Sequence, residues 1–184
     1  MAKRAAEQVE PDAVDAIVEQ WRVERPDLDP SPIALFGRIH RIYLRYQSVI
    51  TGAFAQHDLN PASFDVLAAL RRAGSPYRKS SSELAKGSLL SSAGVTFRLD
   101  RLEQAGLIER HRDTEDRRVV HSQLTDKGLA AIEDAITDHL DNEHRLLAGL
   151  TKAECQQLSR LLAKLEASIL ATTADATDRN SLDP

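Results

Sequence analysis

Residues 91–128 read SSAGVTFRLDRLEQAGLIERHRDTEDRRVVHSQLTDKG, and the change of period inside this stretch decides the fold. Val95, Leu99 and Leu102 fall on one face of a helix at about 100° per residue, with Ser91 or Ser92 as its cap and Gly106 as its end. LIERH and VVHSQL then form two short runs of β-propensity around RDTEDRR, which predicts a two-stranded ribbon with a charged loop. LTDKG launches the next helix.

The pattern extends upstream. SSSELA opens a short helix with a capping box from Ser80 to Glu83, and KGSLL turns the chain into the helix that follows. Two helices joined by a tight turn are the pattern of a helix-turn-helix. Before them, Asn60-Pro61 supplies an N-cap and a first-turn proline for SFDVLAALRRAG, which Gly74 closes. From Ile33 to Gln56 the apolar residues Ile33, Phe36, Ile39, Tyr43, Tyr46, Ile50 and Phe54 recur at three and four, which marks one long amphipathic helix. Asp12 to Arg25 predicts a shorter one, stopped by the prolines of RPDLDPSP.

Downstream, two helices follow, LTDKGLAAIEDAITDHLDNEHRLLAGL and LTKAECQQLSRLLAKLEASIL. The second has a capping box from Thr151 to Glu154. The polar end, TADATDRNSLDP, is expected to fray. The fold expected is mainly α with a small β-ribbon, a winged helix-turn-helix.

Composition narrows the function classes. The formal net charge of the 184 residues is −4, yet the charge is segregated. Residues 7–29 hold eight acids against two bases, whereas residues 30–124 hold fourteen bases against nine acids. A polyanion is steered by the field of one face, so an acidic chain with a basic centre remains compatible with one. No apolar run approaches the roughly 18 residues of a membrane span, and MAKRAAEQVEPDAV lacks the apolar stretch of a secretory signal, so a cytoplasmic protein is expected. The single cysteine, Cys155, excludes an internal disulfide and a multi-cysteine zinc site. His40, His57, His111, His121, His139 and His144 show no metal-ligand spacing. With no Gly-rich phosphate loop or nucleophile elbow either, neither an enzyme nor a metal or cofactor site is expected.

The helix of residues 91–106 carries the candidate chemistry. Opposite its apolar stripe stand Ala93, Phe97, Asp100, Arg101 and Gln104, flanked by Thr96 and Arg98. In a DNA major groove Phe97 can meet a thymine methyl, while Arg98 and Arg101 reach guanine edges or phosphates; packing of Phe97 on a neighbouring helix is the alternative. Ser81, Ser82, Ser91 and Ser92 stand at helix N-termini, where they serve equally as caps or as phosphate ligands. An arginine at a wing tip suits the narrow, negative minor groove. A carboxylate holding its guanidinium lowers the entropy lost on entry. Asp116 and Arg118 are spaced for this, with Asp113 and Arg117 as a second pair.

The stretch 91–128 resembles the multiple-antibiotic-resistance-regulator (MarR) family of winged helix-turn-helix transcription factors. Its recognition helix has the form SxxxVTxRLDRLExxGLIER, followed by a DxxDRR wing and LTxxG. The resemblance implies a recognition-helix role for Ser92, Thr96, Phe97, Arg98 and Arg101, and a wing role for Arg118 with Asp116 beside it. Arg117 is the other candidate for the groove. It also implies a homodimer on double-stranded DNA. Residues 31–58 and 125–172 would be dimerisation helices around a DNA-binding lobe at 60–124, with an N-terminal extension at 1–30 and a tail at 173–184. Such a dimer reads a pseudo-palindrome with half-sites roughly 10 base pairs apart.

The extra N-terminal helix, with QWRVERPDLDPSP before GRIHR, is similar to the urate-responsive subgroup of PecS-type and HucR-type repressors. That similarity implies a ligand site at Trp21, Asp65, Arg72 and Arg98 for a small anionic aromatic molecule such as urate. Such a ring could stack on Trp21 and pair with Arg72. A phenolic ligand, oxidation of Cys155, or no ligand at all are the alternatives.

Overall fold

The computed structural model describes residues 10–87 and 94–180. The turn at KGSLL beyond Gly87, the caps at Ser91 and Ser92, and Ala93 lie outside the described residues. Ten elements follow in order: α1 (Ala13–Glu24), α2 (Ser31–Ala55), α3 (Pro61–Arg72), β1 (Arg78–Ser80), α4 (Ser81–Gly87), α5 (Val95–Gln104), β2 (Ile108–Arg112), β3 (Val120–Leu124), α6 (Asp126–Leu146) and α7 (Lys152–Asn180). The chain divides into two compact units after Ala135. Among the described residues no helix is long and apolar enough to cross a membrane.

In the first unit α1, α3 and α4 start at capping side chains, whereas α2 starts behind Pro30 with no side-chain cap and α5 starts at Val95 behind Gly94, at φ 81°, and not at the expected Ser91 or Ser92. Asp12 accepts from the backbone N–H groups of Val14 at 2.7 Å and Asp15 at 3.2 Å, while its own N–H donates to the Asp15 carboxylate at 2.9 Å. That reciprocal box begins α1. Asn60 accepts from the Ser63 N–H at 2.9 Å with Pro61 in the first turn, so α3 begins at the expected residue. Ser80 and Glu83 form the box that starts α4, with the Ser80 N–H donating to the Glu83 carboxylate at 2.8 Å. Gly74 and Gly106 adopt φ of 75° and 70°, the left-handed conformation that terminates α3 and α5.

The core sits around α3. Val66, Leu67, Leu70, Leu84, Leu99, Ile108 and Ile132 are buried there, and the Phe54 and Phe64 rings stack 4.2 Å apart to fix the end of α2 against α3. Val14 and Val18 bury the inner face of α1. Gly37 on α2 admits this helix, because a Cβ there would stand 3.1 Å from a Val14 methyl.

The ribbon has a third strand. Sequence reading predicts two, but β1 pairs antiparallel with β3, giving a sheet of order β1-β3-β2. Arg78 lies opposite Gln123 and Ser80 opposite His121, while Ile108 lies opposite Leu124 and Arg112 opposite Val120. β1 is three residues long and reads Arg-Lys-Ser, too short and polar to carry a period.

In the second unit α7 is launched by Thr151, whose N–H donates to the Glu154 carboxylate at 2.7 Å, with the Glu154 N–H returning to the Thr151 hydroxyl at 3.3 Å. The helix runs to Asn180, through most of the stretch expected to fray. Alanines and the absence of glycine or proline between Thr172 and Asn180 keep that stretch helix-competent. Leu158, Leu161, Leu162, Ile169 and Leu170 remain exposed along α7.

Candidate nucleic-acid interface

Two elements of the first unit present the candidate side chains. Val95, Leu99 and Leu102 are buried beneath α5, so the turn geometry of the helix carries Thr96, Phe97 and Arg101 to its outer side, where all three are exposed. Phe97 is 62% exposed, which removes packing on a neighbouring described helix as the explanation for it. The Arg101 guanidinium lies 5.3 Å from the centroid of that ring, a cation–π contact that holds both side chains together on the outer face. Arg98 is half-buried, and Ser81 and Ser82 are exposed at the start of α4.

Asp100 does not point into free solvent. It accepts from Arg110 of β2 at 2.7 Å, and Glu103 lies 3.6 Å from the same guanidinium. Arg110 is only 23% exposed, so this pair ties the base of the ribbon to α5. Sequence reading missed Arg110. The only signal was ER at the end of GLIER, a basic residue ten positions after an acid, which becomes a contact only when the ribbon folds back.

The wing tip is a hydrogen-bonded turn built on two aspartates. Asp113 accepts from the N–H groups of Glu115 at 2.8 Å and Asp116 at 3.0 Å, and its second oxygen lies 2.9 Å from His121 Nε2. Those backbone donors at Asp116 and Glu115, followed by His121, hold the Asp113 carboxyl at about 2, below its ordinary 3.8. The expected Asp113–Arg117 pair is therefore not formed, because the Asp113 oxygens face back into the turn and across to β3. Asp116 behaves as expected: it accepts from the Arg118 N–H at 3.0 Å and from Arg118 Nε at 3.3 Å. The Arg118 side chain is 94% exposed, held at its root and free at its tip. Arg117 is exposed beside it.

The lobe is joined to α6 at two further points. Thr125 donates its N–H to the Leu107 carbonyl at 3.1 Å and its hydroxyl to the Gly106 carbonyl at 2.8 Å, then accepts from the Gly128 N–H at 3.0 Å. Gly128 is required here: a Cβ on it would overlap the Leu107 carbonyl oxygen and stand 2.8 Å from the carbonyl carbon. Arg71 pairs with Glu133 of α6 and lies 5.1 Å over the Tyr77 ring.

The four positions expected to hold a ligand lie on three elements. Trp21 is on α1 and 47% exposed, and Asp65 is buried within α3. Arg72 is exposed at the end of α3, and Arg98 stands on α5. It is Arg71 that reaches α6, not its neighbour Arg72. Among the described residues no group of three or more His, Cys, Asp or Glu is placed to hold a metal ion.

A buried-stripe helix with an exposed aromatic and basic face, beside a ribbon carrying an outstretched arginine, defines a winged helix-turn-helix DNA-binding transcriptional regulator. Residues 59–120 match the MarR family model. The chain is 40% identical over 153 residues to the HTH-type transcriptional regulator PecS of Dickeya dadantii, covering 83% of this chain and 92% of that protein. The protein belongs to the MarR family. Among solved structures it is similar to a mutant E. coli MarR complexed with operator DNA, at 26% identity and a TM-score of 0.62, covering 84% of this chain and 99% of that one. It is also similar to Bordetella bronchiseptica BpsR, described in terms of regulation of DNA binding by 6-hydroxynicotinic acid, at 27% identity and a TM-score of 0.65, covering 72% and 92%. Its relatives are regulators rather than enzymes.

Proposed function

We propose that the chain works as a homodimeric repressor that a small anionic aromatic ligand releases from its operator. Two copies pair through the apolar side chains left exposed on α2, such as Phe36 and Tyr43, and along α7. The α5 helices then enter successive major grooves of a pseudo-palindrome, roughly 10 base pairs apart. Phe97, Arg98 and Arg101, with Thr96 and Ser92, address the bases and phosphates, and Ser81, Ser82 and Ser91 address the phosphate backbone. Arg118 enters the minor groove, aimed by Asp116. The observation that carries this reading is the outstretched Arg118 side chain, 94% exposed with its Nε held by Asp116, beside the exposed Thr96, Phe97 and Arg101 of α5.

Support for a ligand comes from BpsR, whose DNA binding is regulated by a carboxylated aromatic ring, and from the resemblance of QWRVERPDLDPSP and GRIHR to the urate-responsive subgroup. Trp21, Asp65, Arg72 and Arg98 are the positions assigned to it. Release requires that the ligand bind the DNA-incompatible arrangement more tightly; a typical coupling of about 1–3 kcal/mol weakens operator binding roughly 5- to 150-fold.

Footprinting on the DNA upstream of the chain's own gene, with and without urate, xanthine, 6-hydroxynicotinate and phenolic acids, tests both parts. A symmetric footprint that one of these shrinks is expected. No footprint removes the operator reading, and a footprint indifferent to the whole panel removes the ligand.

A further inference from the structure

The junction of α1 and α2 contains a cluster that DNA binding does not use. Arg38, Arg41 and Arg45 stand at i, i+3 and i+7 on α2 and so share a face, the one turned away from Phe36 and Tyr43. Arg38 donates to Asp12 at 3.1 Å and to Asp15 at 2.6 Å, and Arg41 reaches Asp12 at 3.3 Å. The Arg38 guanidinium beside Asp15 holds that carboxyl below its ordinary range. Asp12 is oversubscribed, since the same carboxylate also caps α1 through the N–H groups of Val14 and Asp15. Its contact with Arg41 is the longest of the set. Among the described residues Arg45 makes no hydrogen bond or ion pair. Among the described residues three guanidiniums therefore face two carboxylates, next to the positive end of the α1 dipole.

Asp12, Arg38, Arg41, Ile42 and Arg45 line a cleft of about 220 Å³. That is below the roughly 300–1,000 Å³ of pockets for drug-sized ligands, so its occupant is small. The exposed Ile42 side chain between Arg41 and Arg45 offers an apolar wall beside the charges.

We propose that this cleft is a binding site for a small carboxylate with an apolar body, separate from the Trp21, Asp65, Arg72 and Arg98 positions. The carboxylate bridges Arg41 and Arg45 as the third anion of the cluster, and the apolar body lies on Ile42. Asp12 keeps its capping role, so occupancy fastens α1 to α2 instead of freeing it. The site does not depend on the ligand reading above.

Benzoate is the probe, titrated calorimetrically into the full chain at constant ionic strength. Saturable binding of one benzoate per chain is expected. Arg45→Gln, which removes no contact made with the described residues, should weaken it about tenfold, the loss of one charge-assisted hydrogen bond. Arg72→Gln should leave it unchanged, and hydrogen exchange of the Val14–Val18 amides should slow with benzoate in the wild type but not in Arg45→Gln. Non-saturable heats, equal affinity in Arg45→Gln, loss of binding in Arg72→Gln, or inorganic phosphate binding as tightly as benzoate would each overturn the proposal.

Discussion

Replacing Gly128 by alanine probes how the lobe is joined to α6. The new Cβ would overlap the Leu107 carbonyl oxygen and lie 2.8 Å from its carbon, where carbon atoms ordinarily rest at about 3.5–4.0 Å. Backbone must therefore move, and both sides are held. Leu107 is anchored by its N–H to the Leu102 carbonyl at 3.0 Å and by the Thr125 N–H at 3.1 Å, with Ile108 buried beside it. Lys127 adds a bond to the Ala105 carbonyl at 2.8 Å. Parting the segments costs about 1 kcal/mol for each of one or two of these bonds and about 1–3 kcal/mol of overpacking. Alanine returns at most about 1 kcal/mol of helix propensity. The net destabilisation is about 1–5 kcal/mol, or roughly 2–20 °C in Tm for a chain of this size. Thermal and urea unfolding at fixed protein concentration measure it, with Gly52→Ala as the control, because a Cβ at Gly52 meets nothing within 4 Å. If Gly128→Ala unfolds with the wild type or later, the close approach of α6 to Leu107 is refuted.

Two other predictions concern the wing. The Asp113 carboxyl is held at about 2 against an ordinary 3.8, so its contribution to wing order is fully present above pH 3.8 and is lost as the pH falls through about 2. NMR titration of its carboxyl carbon should give a midpoint near 2; a midpoint near 4 would show that the turn donors do not hold it. Arg110→Met leaves Asp100 and Glu103 side by side without their cation and should weaken operator binding by about 1 kcal/mol. Because Arg110 positions and does not touch phosphate, the salt dependence of binding should keep its slope, whereas a slope lower by about 1 would make Arg110 a phosphate contact.

Local patterns carried most of the architecture. Asp12, Asn60, Ser80 and Thr151 mark helix starts through side-chain bonds spanning two or three residues, and such spacing is visible in a chain read by eye. The buried stripe of α5 and the two strands around the charged loop are equally local. What escaped is non-local. β1 owes its existence to β3, more than forty residues later, and Arg110 finds Asp100 only once the ribbon folds. Arg71, not Arg72, meets Glu133 because of where α6 passes. Asp113 was misassigned for a related reason: charge spacing suggested Arg117, but backbone N–H donors within the turn and His121 across the ribbon lie closer. The glycine of LTDKG was legible as a pattern, and its cause, the Leu107 carbonyl, only in three dimensions.

Operator binding by Arg118→Ala, measured by fluorescence anisotropy across a salt series, tests the central claim most directly. With its tip free and its root held by Asp116, Arg118 should contribute about 1–3 kcal/mol. The variant should therefore bind roughly 5- to 150-fold more weakly, with a salt slope smaller by about 1 for each wing engaged and with unchanged thermal stability. Unchanged affinity and slope would mean that the wing does not enter DNA.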